Sequence, residues 1–240
     1  MDDLKRYEEL VKTIEYHNDR YYNQDDPKIS DYEYDMMMKE LKKIEKDHPE
    51  FVTPNSPTQH VGGSAKREAG VLVRHRVPML SLQDVFSKEE VQDFVKSMQE
   101  TLVDPVFVVE YKIDGLSMAL RYENGLLTTA ITRGDGIIQG EDVTVNAKVI
   151  KDVKNKLKEP IEYLEVRGEV YMTNEAFDKV NEIQELNNKK TFANPRNCAA
   201  GTLRQLDSRI TKQRNLSMFI FNIQDIRGKE ITSHSQGYEY

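Results

Sequence analysis

The sequence predicts an α+β protein in which a helical hairpin is followed by antiparallel sheets with flanking helices. Three observations carry that prediction. Apolar side chains recur at three- and four-residue steps through Leu4, Tyr7, Val11 and Ile14, and again through Tyr34, Met37, Met38, Leu41 and Ile44, the period of a helix with one buried face. Two aliphatic runs, Leu116 to Tyr122 and Leu126 to Thr132, are joined by Asn124-Gly125, the strongest short-range hairpin signal. From Glu165 to Tyr171, polar and apolar residues alternate strictly, as on a strand whose two faces meet different surroundings.

Composition narrows the class. The 240 residues suffice for one large or two small domains, and 31% charged against 38% hydrophobic residues describes a soluble globular chain. No apolar run approaches the ~18–20 residues of a membrane span, and Met1-Asp2-Asp3-Leu4-Lys5 lacks a signal peptide's apolar centre. The single Cys198 excludes an internal disulfide and a cysteine-built zinc cluster, and it fits the cytoplasm. A net charge of −7 argues against binding polyanions over the whole surface, but Lys189, Lys190, Arg196, Arg204, Arg209, Lys212 and Arg214 gather around a single acid, Asp207. That run reads equally as a phosphate-tracking face or as a solvated helical surface.

In order along the chain, the first helix is expected from about residue 3 to 22, and Pro27 breaks it. Ser30-Asp31-Tyr32-Glu33 is a capping box that opens the second helix. Asp31, Tyr34 and Asp35 then share one face of its first turn, where acids suit the macrodipole and Tyr34 suits the core. Residues 49–65 are rich in chain breakers and read as a linker. Arg74 to Leu82 is a basic strand or loop in which His75 reads as surface. Ser87 caps a further helix with Val91, Phe94, Val95 and Met98 as its buried stripe.

Val106 to Gly115 reads as a strand ending in a turn, with Glu110, Lys112 and Asp114 projecting to one side. An amine between two acids can serve as a nucleophile once it loses its proton. Taking a lysine from its ordinary value of about 10.4 to a useful ~7–8 needs roughly 4 kcal/mol of differential interaction. Flanking carboxylates work against this, so arginines or a Mg²⁺ brought on a substrate phosphate must counter them. On strand and charge alone, a surface ion pair is the commoner reading. Beyond the hairpin, Thr132-Arg133-Gly134-Asp135-Gly136 is a glycine-rich loop able to approach a ligand, and it brings Arg133 near Lys112. The polar face of residues 165–171 is either solvent-exposed, the commoner case, or the wall of a polar pocket, and Gly168 marks a close backbone approach. Leu216 to Phe221 is the final strand.

Lys112-Ile113-Asp114-Gly115 resembles the lysine motif of nucleotidyltransferases, among them DNA ligases, RNA ligases and capping enzymes. Tyr21-Tyr22, Asp25-Asp26-Pro27 and Asp31-Tyr32-Glu33-Tyr34-Asp35 resemble the N-terminal helical subdomain of bacterial NAD-dependent DNA ligases. Ser81-Leu82, Thr132 to Gly136, Val166-Arg167-Gly168-Glu169 and Phe192-Ala193-Asn194-Pro195-Arg196-Asn197 resemble further motifs of that family in the same order.

The resemblance implies a helical subdomain over 1–62 that binds nicotinamide mononucleotide (NMN), and an adenylation domain of the nucleotidyltransferase, ATP-grasp-like type over 63–240. By that resemblance Lys112 and Asp114 are catalytic. Tyr21, Tyr22, Asp31, Tyr34 and Asp35 meet the NMN half of NAD, while Ser81, Leu82, Glu110, Arg133, Glu169 and Phe221 meet the adenosine half. Arg196 and Arg204 would meet the backbone of nicked double-stranded DNA. NAD is then the adenylate donor, with Mg²⁺ or Mn²⁺ as the divalent ion and no protein-held metal here. Family members continue past Tyr240 with two more lysine-bearing strands, an OB-fold, a zinc module, helix-hairpin-helix repeats and a BRCT domain. The expectation is accordingly a C-terminally truncated product or half of a split enzyme, with zinc confined to the absent part. Other readings are an ATP- or GTP-using enzyme of the RNA ligase or capping type, and a non-catalytic nucleotide- or DNA-binding remnant.

Overall fold

The computed structural model describes residues 3–20, 28–53, 56–59 and 70–240, with the backbone alone for Asp31. Helix α1 (Asp3–Asn18) and helix α2 (Asp31–Asp47) form the expected hairpin around Tyr7, Leu10, Ile14 and Leu41. The capping box is present: the Ser30 hydroxyl accepts from the Glu33 N–H, and the Glu33 carboxylate accepts from the Ser30 N–H at 2.8 Å. A 3₁₀ turn (Pro49–Phe51) follows, and Glu45 accepts hydrogen bonds from Ser56 and Thr58, which ties part of the expected linker down. Lys39 of α2 reaches the next unit, 2.9 Å from Glu90 and over the Phe86 ring at 4.5 Å.

Strand β1 (Leu72–Arg74) pairs with β4 (Gln139–Glu141) in a small antiparallel ribbon. The main sheet has the order β3-β2-β5-β6 and is antiparallel throughout, with β2 (Leu116–Glu123), β3 (Leu126–Thr132), β5 (Tyr163–Tyr171) and β6 (Ser217–Arg227). Asn124 and Gly125 at φ +49° and +75° make the turn between β2 and β3 that their residue types predict. One face of the sheet, with Met118, Leu120, Leu164, Val166 and Val170, packs on α4 (Thr144–Ala147), α5 (Asn174–Leu186) and α6 (Pro195–Leu203). Helices α3 (Lys88–Thr101), α7 (Ser208–Gln213) and α8 (His234–Glu239) complete the described elements.

Several expectations need correction. Residues 105–114 join no ladder: β2 begins only at Leu116, and its two edges are taken by β3 and β5. Val106, Val109 and Tyr111 are exposed as a result. Helix α3 buries none of its stripe; Val91 and Phe94 are exposed, and the Phe94 and Phe107 rings meet edge to face at 6.3 Å. His75 is not a surface residue but is half-buried, its Nε2 2.8 Å from the Arg133 carbonyl. The polar face of β5 is interior, with Glu165 fully buried. The last strand runs on to Arg227.

Candidate active site

The polar face of the main sheet forms the wall of the site. On β5, Glu165, Arg167 and Glu169 point away from the helices, and register sets Arg121 opposite Glu165 and Ser117 opposite Glu169. Arg121 Nε lies 2.8 Å from Glu165 Oε2, with side-chain exposures of 6% and 0%, and the Tyr163 hydroxyl donates to the same oxygen at 2.6 Å. Arg121 Nη2 donates to the Arg74 carbonyl at 2.9 Å.

That last bond is the first of several holding residues 74–81 against the sheet as a strap. Arg167 donates to the Leu80 carbonyl at 2.9 Å. Arg133 donates to the Met79 carbonyl at 3.1 Å and to the Ser81 hydroxyl at 2.6 Å. The glycine-rich loop that carries Arg133 is held by Asp135, whose carboxylate accepts from the N–H groups of Ile137, Ile138 and Gln139. Burial opposes ionisation of Asp135, but those N–H donors hold its carboxyl below the usual range.

Glu169 accepts from the Ser117 hydroxyl at 2.7 Å. Burial pushes its carboxyl above the usual range, against the opposing pull of Ser117, Arg196, Lys112 and Arg167. Lys112, itself exposed, thus lies close enough for its charge to act on Glu169. Burial and then the like charge of Arg133 lower Arg167, with Glu169 opposing. The Arg167 guanidinium lies 5.4 Å from the Phe221 ring centroid, and its Nε is buried with no protein partner among the described residues. Gly115 lets Lys112-Ile113-Asp114 approach this wall, because a Cβ there would sit 2.1 Å from the Val170 carbonyl oxygen.

The expected residues are distributed as follows. Lys112, Glu169, Arg133, Ser81 and Phe221 collect at one end of the sheet, while Leu82 is exposed beyond the strap. Asp114 pairs with Arg196 at 3.2 Å, so Arg196 stands in the lysine cluster. Arg204 is turned inward onto Glu141 at 2.9 Å. Glu110 meets His234 at 2.6 Å. Tyr34 is half-buried in the hairpin, its hydroxyl donating to Asn18 at 2.7 Å, and Asp35 lies beside it on α2. Tyr21 and Tyr22 lie outside the described residues, as does the side chain of Asp31. Sequence reasoning passed over Ser117, Arg167 as a strap residue, Arg121 and His234. Arg167 was visible only as a member of the alternating face of residues 165–171, and nothing local marks Ser117, Arg121 or His234. Burial pushes the Cys198 thiol up to about 11, which agrees with its expected inertness.

A lysine between carboxylates, set against an antiparallel sheet whose polar face carries arginines, a buried glutamate and an aromatic ring, is the equipment of a nucleotidyltransferase that takes up a nucleotide on lysine. Comparison with known proteins narrows that class. A family model for the NAD-dependent DNA ligase adenylation domain matches residues 70–240, and one for the DNA ligase-like N-terminal NAD+-binding domain matches residues 1–62. A DNA ligase of Clostridium kluyveri is 55% identical over 240 residues, covering 100% of this chain and 36% of that protein. A DNA ligase of Caldicellulosiruptor saccharolyticus is 53% identical over 238 residues (98% and 35%), and one of Clostridioides difficile 49% identical over 232 residues (96% and 34%). The chain belongs to the NAD-dependent DNA ligase family. It spans about a third of the length of these curated relatives, 36% of the first. No helix among the described residues is long and apolar enough to cross a membrane.

Proposed function

We propose that this chain performs the adenylate-capturing step of nick sealing, with residues 1–62 as the NMN-binding unit and 63–240 as the adenylation unit. The observation that carries this reading is the convergence of Lys112, Glu169, Arg133, Arg167 and Arg196 at one end of the sheet, a lysine amine among buried carboxylate and cationic groups suited to a sugar and a diphosphate. NAD lies with its adenosine between the strap and the sheet. Glu110 and Phe221 serve the base, Glu169 accepts from the ribose, and Ser81 and Leu82 lie beneath. Tyr21, Tyr22, Asp31, Tyr34 and Asp35 hold the NMN half.

Lys112 enters as the free amine and attacks the adenylate phosphorus in line. The P–N bond forms as the diphosphate P–O bond breaks, NMN leaves, and the amine's surplus proton passes to solvent. Arg133, Arg167 and Arg196 offset the phosphate charge, and Asp114, paired with Arg196, orients that guanidinium. The adenylate then passes to the 5′-phosphate of a nick in double-stranded DNA, whose backbone Arg196 meets, and the 3′-hydroxyl displaces it; the contact expected from Arg204 is dropped, because that guanidinium is held inward by Glu141. A divalent ion, Mg²⁺ or Mn²⁺, supplies further charge neutralisation when it arrives with the diphosphate. Among the described residues no three His, Cys, Asp or Glu side chains are grouped to hold one. Zinc belongs to parts of the longer family members, and the cytoplasm is the setting that the lone, buried Cys198 suits.

The test is to incubate the chain and Lys112→Ala with adenine-labelled NAD or ATP and Mg²⁺, and to weigh the protein. A slow, incomplete gain of one adenylate from NAD alone, absent in Lys112→Ala, is expected, together with no sealing of nicked DNA. Adenylate taken from ATP, or gained by Lys112→Ala, overturns the reading.

A further inference from the structure

Glu110 belongs to the segment that joins no ladder, so its backbone does nothing to fix its carboxylate, and a free glutamate side chain samples many rotamers. What fixes it comes from 124 positions away. His234 Nε2 is 2.6 Å from Glu110 Oε1, a separation at which an imidazole N–H donates to a carboxylate. His234 opens α8, and Tyr238 stands four residues on, so both project from one side of the helix. Their rings meet edge to face at 5.0 Å and 80°. The Tyr238 hydroxyl donates to the Phe221 carbonyl at 3.4 Å. Burial, and then a hydrogen bond with the Glu110 carboxylate, push that hydroxyl up to about 12.

The helix is tied at its start and rests on β6, with none of its residues buried. Ser233 caps it, Thr232 donates twice to Gln236 Oε1 at 2.9 Å, and the α-carbon of Gly237 packs near the Ile223 side chain. It walls an open cavity of about 470 Å³ along β6 that Phe221, His234 and Tyr238 help to line, while Glu110 and Lys112 stand outside it. One short helix thus grips both groups assigned to the base, the carboxylate through His234 and the aromatic strand through Tyr238.

We propose that α8 is the element that sets base selectivity, with His234 as a positioning residue that holds Glu110 Oε1 and, with the Tyr238 hydroxyl beside it, turns the carboxylate to accept from the exocyclic amine of adenine. Tyr238 fixes the part of β6 that presents Phe221. The proposal rests on the adenosine-site reading given above. A carboxylate is acceptor-only, so a base with a carbonyl oxygen in place of that amine meets repulsion instead of a hydrogen bond.

The test is calorimetric titration of the full 240-residue chain with NAD and with its hypoxanthine counterpart, with a chelator present so that no adenylate is transferred. Wild type should prefer NAD. His234→Ala should bind NAD about five- to tenfold more weakly and the hypoxanthine dinucleotide almost unchanged, which collapses the preference. His234→Gln, whose amide still donates, should recover most of it, and Tyr238→Phe should lose about twofold. If wild type binds neither dinucleotide, or both equally, the adenosine-site reading falls and the proposal with it. If wild type discriminates and His234→Ala does so equally well, the positioning role alone is overturned. A uniform loss with both dinucleotides that His234→Gln fails to restore also overturns it, since that marks α8 as packing only.

Discussion

Replacing Arg121 by Met should unfold much of the sheet's polar face, and the size of the effect follows from the geometry. The Arg121–Glu165 pair has side-chain exposures of 6% and 0%, and removing the guanidinium leaves the Glu165 carboxylate with only the Tyr163 hydroxyl at 2.6 Å. Breaking one side of a buried pair in this way costs about 3–5 kcal/mol, because a charge stays behind without its partner. In a chain of this size that corresponds to a fall in melting temperature of roughly 6–20 °C. The double variant Arg121→Met/Glu165→Gln removes the stranded charge and keeps an acceptor for Tyr163, so its cost should shrink to about 1–3 kcal/mol. Thermal and urea unfolding of the wild type, both single variants and the double variant complete the cycle. A double variant as unstable as Arg121→Met, or an Arg121→Met melting within a few degrees of wild type, would show that the pair is not an interior one. Because Arg121 also holds the Arg74 carbonyl, NAD should bind more weakly even to the restabilised double variant.

Gly115→Ala drives a methyl group to 2.1 Å from the Val170 carbonyl oxygen and 2.9 Å from its carbon, where backbone must move; about 3 kcal/mol of destabilisation is expected, measured by urea unfolding. For Glu169 the folded state raises the carboxyl, so the stability it contributes is complete in acid, below the ordinary carboxylate value, and fades as pH climbs through the raised one. Glu169→Gln should accordingly melt higher than wild type at neutral pH and alike at pH 3–4, while losing NAD affinity in the same calorimeter; a gap that widens toward acid refutes the assignment. Cys198, with its thiol pushed up to about 11 by burial, should react with a thiol reagent at least about a hundredfold more slowly in the native chain than in urea, followed by absorbance.

Local signals carried a large part of this fold. Ser30 and Glu33 specify a cap within four residues, and Asn124-Gly125 specifies a turn within two, so both could be read directly. The strict alternation at Glu165 to Tyr171 fixed the strand and its two faces, and only its setting was misjudged, since nothing in seven residues says that Arg121 will be placed opposite Glu165 to make burial tolerable. Val106 to Ile113 has the composition of a strand, but a strand needs a neighbour, and pairing partners are not written locally. The same limit hid His234, whose bond to Glu110 spans 124 residues. Arg196 and Arg204 look alike in sequence, but one faces Asp114 near the lysine and the other closes on Glu141.

The strand order β3-β2-β5-β6 also imposes a timetable. Each strand or its flanking turn donates one part of the cradle, Lys112 ahead of β2, Arg133 after β3, Glu169 on β5 and Phe221 on β6, so the cradle grows outward as the ribosome delivers them. At roughly 5–20 residues per second, the gap between Glu110 and His234 takes about 6–25 s to synthesise. On the proposed reading, a nascent chain exposes the Lys112 amine before it gains the His234 that would hold Glu110.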